Sequence, residues 1–275
     1  MAEVKRYIMS ASALDYSELH TSKGNQLKWK QDGYWYKADQ FGYEGIAEYV
    51  VTHFLSETTV PFPYVTYEPV VIEYEAREYV GCRSKDYYIT NPHLQGYEQV
   101  PLERLHRQFT AKNLSEHIGL IPEAEDRVKY TVDFVTDITG LDRFNDYISF
   151  LVQIDAFFYN EDRHFNNITV MWNPDDDTYD YCPYYDFGLS LFADTRDDYP
   201  LTMSVEQCMK LIKARPFSND FVKQVEACRS ISDVELAFRI TREQMGQEAR
   251  GMLQDIDVDE RVVERIVWVL SDREN

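Results

Sequence analysis

Two β-branched and aromatic runs, ITVMW (168–172) and YDYCPYY (179–185), enclose the stretch NPDDDT (173–178). Asn, Pro and Asp between two such runs predict a β-hairpin. No other feature constrains the fold as strongly, because the two ends of an antiparallel hairpin must lie side by side. Here both ends are dense in polar groups. NEDRHFNN (160–167) enters the first strand and DFG (186–188) leaves the second. The hairpin therefore brings Asn167 next to Asp186, although the two are distant in the chain.

The rest of the chain supplies a context for that hairpin. A length of 275 residues suits one large domain or two small ones, and a hydrophobic content of 44% supports a sizeable core. Lys and Arg total 28 against 48 Asp and Glu, a net charge of -20. Such a charge opposes binding to phosphate backbones, so no direct nucleic-acid binding is expected. An anionic substrate would need local cations, and metal, to offset the field. Cys82, Cys182, Cys208 and Cys228 contain no C-x-x-C pair, and no His lies at zinc-finger spacing from them. They read as reduced thiols, buried or partly so. No stretch approaches the ~20 apolar residues of a membrane helix, and Asp15 interrupts any apolar signal segment. The expectation is a cytoplasmic protein with no membrane association.

The character of the chain changes at Asn91-Pro92. Before it, NQLKWKQDGYWYKAD predicts a hairpin turning at Asp32-Gly33. YEGIAEYVVTHFLSE predicts a helix, with Ile46, Val50, Phe54 and Ala47, Val51 at i, i+4 spacing. YVTYEPVVIEYEAREYVGCRS predicts two further strands. After it, 101–119, 124–137 and 141–159 read as helices, as does much of 204–272. DERVVERIVWVLSD carries an apolar stripe of Val262, Val263, Ile266, Val267 and Leu270. The expected class is α+β in two lobes. The first, 1–92, is small and β-rich with one helix; the second, 93–275, is larger and mainly α-helical. A cleft between lobes is a common ligand site.

Two neighbouring oxygen donors, Asn167 and Asp186, suit Mg²⁺, which takes few protein ligands and binds together with substrate phosphates. Asp162, just upstream, is placed to accept a proton from an attacking hydroxyl. D-x-x-x-x-N followed by D-F-G matches the catalytic loop and metal-binding motif of protein kinases. That pattern calls for a lysine on a strand of the small lobe and a glutamate on its helix. Lys37 ends the predicted strand YWYKAD, and Glu44 and Glu48 lie on one face of the following helix, so either can reach Lys37. Gly24 would let backbone approach a phosphate, and Lys28 would add charge.

GNQLK (24–28), YKAD around Lys37, NEDRHFNN and YYDFG together resemble HipA-type bacterial serine/threonine kinases, in a compact form. KARPFSNDFVKQVE (213–226) is similar to the segment that follows the motifs in that family. The resemblance spans roughly 20–230 and implies the two-lobed protein-kinase-like fold and transfer of phosphate from ATP to a serine or threonine hydroxyl. It implies Asp162 as catalytic base, Asn167 and Asp186 as Mg²⁺ ligands, Lys37 as ligand of the nucleotide phosphates, and Glu48 or Glu44 as its orienting partner. His164 is expected to shape the catalytic loop, and Arg163 to pair with a phosphorylated residue or an acidic neighbour. Full-length HipA toxins carry an N-terminal region that helps contact a DNA-binding antitoxin. Only about twenty residues precede Gly24, so an antitoxin-like partner is not part of the expectation.

Other readings of the same residues are a small-molecule or phosphoinositide-type kinase and a nucleotide-binding pseudokinase acting through a partner. The D-R-H-x-x-N and D-F-G motifs occur in phosphatidylinositol kinases as well. The net charge and the lack of a basic amphipathic segment speak against a lipid substrate. The acceptor, protein or small molecule, is not legible. Ser190, Thr195 and Ser204 follow the D-F-G as hydroxyls that phosphorylation could reach.

Overall fold

A computed structural model describes residues 4–15 and 26–271; Gly24 lies outside the described residues. The chain opens with β1 (Arg6–Ile8), then the hairpin of β2 (Lys28–Gln31) and β3 (Tyr34–Ala38), then α1 (Glu44–Leu55). A second hairpin follows, β4 (Tyr67–Tyr74) and β5 (Arg77–Lys85). These strands form one five-stranded sheet in the order β1-β4-β5-β3-β2, antiparallel except for the β1–β4 pair. Asp32 and Gly33 both take positive φ, as a two-residue hairpin turn requires. The second turn uses Glu75 and Ala76 at φ 50° and 58°, residues that carry no turn signal of their own.

The period of two along β3 decides which side chain faces which way. Tyr36 and Ala38 are buried on one face, with Trp29, Val70, Ile72 and Tyr74 under Met9. Lys37, between them, points to the other face, opposite Cys82 of β5. That second face receives α1, whose close approach depends on Gly45, while Gly81 lies tight against β3. A Cβ on Gly45 would lie 2.6 Å from the backbone of Gly81, and one on Gly81 would lie 2.0 Å from the Lys37 carbonyl oxygen. α1 is buried almost all round, more than one apolar stripe suggests, because it packs on the sheet and also on the helical core.

α2 (Tyr87–Thr90) follows β5, and the larger lobe contains β6 (Glu98–Pro101), α3 (Leu102–Thr110), α4 (Leu114–Gly119), α5 (Ala124–Thr139) and α6 (Phe144–Phe158). It continues through β7 (Thr169–Asn173), β8 (Thr178–Tyr181), α7 (Val205–Leu211), α8 (Phe221–Arg229), α9 (Arg242–Leu253) and α10 (Glu260–Ser271). The hairpin expected from the sequence is β7–β8, with Val170 opposite Tyr181. β6 adds a third strand along β7. Its four residues end in Pro101, which cannot donate to a ladder, so nothing in its pattern announced a strand. The single helix expected over 101–119 is instead α3 and α4, separated where Ala111 turns left-handed at φ 60°. All four cysteines are free and buried. Among the described residues no helix is long and apolar enough to cross a membrane.

Candidate active site

α6 carries the site's foundation. Its last turn holds Asp155, and the helix stops where Tyr159 takes φ 55°. The chain then doubles back through residues 160–167. Asp155 is fully buried, and so is Arg163, whose Nε lies 2.8 Å from Asp155 Oδ2 and whose Nη2 donates to Oδ1 at 3.1 Å. Burial pushes the Asp155 carboxyl up, against the pull of Arg163. Asn160 donates to the same carboxylate at 2.8 Å and accepts from the Asp162 backbone N–H at 3.2 Å. The remaining arm of Arg163 joins the two ends of the hairpin: Nη1 donates to the carbonyls of Asn167 and Tyr185 at 3.1 and 2.9 Å. The acidic neighbour of Arg163 is thus Asp155, a residue the sequence reading left without a role.

Asp186 follows Tyr185 and adopts φ 63°, a left-handed conformation that Asp tolerates better than most residues. Lys37 Nζ lies 3.1 Å from Asp186 Oδ1 and 2.9 Å from Glu48 Oε1, and it sits over the Tyr67 ring. The other oxygen of Glu48 accepts from the Phe187 backbone N–H at 2.9 Å. Glu48 therefore ties the strand lysine, α1 and the D-F-G into one cluster. Burial alone would push Lys37 down, but Asp186 and Glu48 hold it well above its ordinary value. Desolvation would raise Asp186, yet Lys37, Lys28 and Arg163 keep it well below the usual carboxylate range.

Glu44 does not pair with Lys37. Its carboxylate accepts backbone N–H groups of Gln40, Phe41 and Gly42 at 2.8, 2.6 and 2.8 Å, closing the turn ahead of α1. Glu44→Ala is expected to destabilise the fold by roughly 2–3 kcal/mol, since it strands donors that now bond a charge. A urea melt with an unchanged midpoint would contradict this.

Asp162, Asn167, Asp186, Lys37, Lys28 and Glu48 all line one cavity of about 1060 Å³. Asn167 Nδ2 donates to the Asp162 carbonyl at 3.1 Å, which leaves Oδ1 as its acceptor atom. The Asp162 carboxylate lies 3.8 Å from His164 Nε2 and 3.7 Å from Arg215 Nη1. Arg215 is held in turn by Gln224, whose fully buried amide donates to the Arg215 carbonyl and accepts from Phe217 N.

The segment after the D-F-G is anchored from both lobes. Tyr43 Oη donates to the Leu191 carbonyl, and the buried Arg265 of α10 donates to the carbonyls of Phe192, Tyr199, Pro200 and Met203. Of the hydroxyls there, Ser190 is fully buried and Ser204 caps α7, while Thr195 is half-buried.

The sheet with its single helix, the helical lobe and the cavity lined by both define a two-lobed kinase-like fold. The crystal structure of a Helicobacter pylori proinflammatory kinase, CtkA, matches this chain with a TM-score of 0.60. The sequence identity is 15%, and the match covers 95% of this chain and 91% of that one. No protein-family model and no curated protein matches the chain.

Proposed function

We propose that this chain is an ATP-dependent kinase of HipA type that transfers the γ-phosphoryl group to a serine or threonine hydroxyl of a protein, itself included. The observation that carries the reading is the cluster of Lys37, Glu48 and Asp186 beside Asp162 and Asn167 in one cavity. Phosphoryl transfer asks a protein chiefly for positioning and charge compensation. Lys37 and Lys28 compensate nucleotide phosphates within an otherwise acidic molecule. Glu48 orients Lys37.

The donor set fits Mg²⁺. Asp186 is a hard anionic oxygen donor, and Asn167 has its amide nitrogen committed and its oxygen available. Mg²⁺ held there would neutralise phosphate charge as it shifts toward the leaving group. Asp162 accepts the proton of the acceptor hydroxyl as the new O–P bond forms and the bond from the γ-phosphorus to the bridging oxygen breaks, leaving ADP. His164, beside Asp162, supports the loop.

Incubation of the chain with ATP and Mg²⁺, followed by mass spectrometry, tests the reading. Phosphoserine or phosphothreonine on the chain or an added protein is expected. ATP binding without any transfer would instead indicate a pseudokinase. Glu48→Gln is expected to slow transfer on the order of 10²-fold by misplacing Lys37, with a near-native melting curve. Transfer at the wild-type rate in that variant would remove Glu48 from its role.

A further inference from the structure

The cavity continues past Asp162 toward β6, α4 and Arg215-Pro216, where its lining includes the cations Arg127 and Arg215. Arg127 Nε donates to the Ile121 carbonyl at 2.7 Å and Nη1 to the Phe217 carbonyl at 2.9 Å. These partners orient the guanidinium without neutralising it. Arg215 is anchored through its backbone by Gln224, but its side chain is 53% exposed and meets Asp162 only at 3.7 Å. That distance is beyond a hydrogen bond, so the contact is readily exchanged for a better one. Glu103, an acid on this side, has its carboxylate engaged by the N–H and hydroxyl of Ser115.

We propose that Arg215, backed by Arg127, selects acceptor peptides whose serine or threonine is flanked by an acidic side chain. The inference rests on the kinase reading. A hydroxyl that reaches Asp162 must enter beside the Arg215 guanidinium. A carboxylate carried by the same acceptor replaces the loose Arg215–Asp162 contact with a paired, charge-assisted one. A basic acceptor would face two guanidinium groups. The overall charge of -20 acts against anionic acceptors at long range, but screening over about 8 Å leaves the choice to the local arginines.

The test uses the full chain, ATP and Mg²⁺, and serine peptides with Asp, Ala or Lys on either side of the acceptor. The Asp set is expected to exceed the Ala set by about tenfold in kcat/KM, chiefly through KM. Arg215→Gln should erase the preference, and Arg215→Glu should turn it toward the Lys set. Equal use of all sets by the wild type would overturn the proposal. So would an Arg215→Gln variant whose kcat falls equally for every peptide, since that would put Arg215 on the transferred phosphoryl group. A chain that phosphorylates itself yet ignores flanking charge overturns this inference alone. A chain that phosphorylates nothing overturns the kinase reading with it.

Discussion

Asp162→Ala is expected to lower phosphoryl transfer by ~10²–10⁴-fold while ATP binding persists. Lys37, the cation proposed to meet the nucleotide phosphates, is held by Glu48 and Asp186. The Asp162 carboxylate meets His164 and Arg215 at 3.8 and 3.7 Å, while the backbone carbonyl of Asp162, which the variant keeps, accepts from Asn167. Removing the side chain keeps the hydrogen bond from Asn167 to that carbonyl and takes away the group proposed to receive the hydroxyl proton. Single-turnover transfer from labelled ATP, read beside nucleotide binding by fluorescence, separates the two steps. Wild-type transfer would show that Asp162 is not the base. Loss of binding together with transfer would show that its role is to hold the loop.

Asp155→Ala is the second large effect, expected to destabilise the fold by ~3–5 kcal/mol. Arg163 would stay buried without its counter-ion, and Asn160 would lose the closer of its two acceptors. Chemical denaturation measures this directly, and an unchanged midpoint would refute it. The double variant Asp155→Ala, Arg163→Met is expected to recover much of the stability, because removing both charges of a buried pair is often neutral. It is not expected to recover activity. Nothing would then bridge the carbonyls of Asn167 and Tyr185, and the two halves of the site would lose their common tie. Recovery of both would reduce the pair to a packing role.

Much of this site is legible in local patterns. Strand periodicity turns Lys37 away from Tyr36 and Ala38, because alternate side chains of a pleated strand face opposite ways. The turn chemistry of NPDDDT returns the chain so that Asn167 and Tyr185 share one guanidinium. Short elements were less visible: β6 has too few residues and a terminal proline, and Ala111 breaks a helical pattern without a glycine or proline to mark it.

The sequence by itself determined the candidate residues and that the hairpin brings its two ends together, since periodicity and turn propensity act over a few residues. The choice between Glu44 and Glu48 was decided only by the tertiary structure. The two share a helical face, and only the seating of α1, through Gly45 on Gly81, sets which one meets Lys37. The same holds for Asp155 under the loop and Arg215 beside Asp162. Their partners are chosen by packing between distant segments, and no local pattern encodes which buried charge will find which counter-ion.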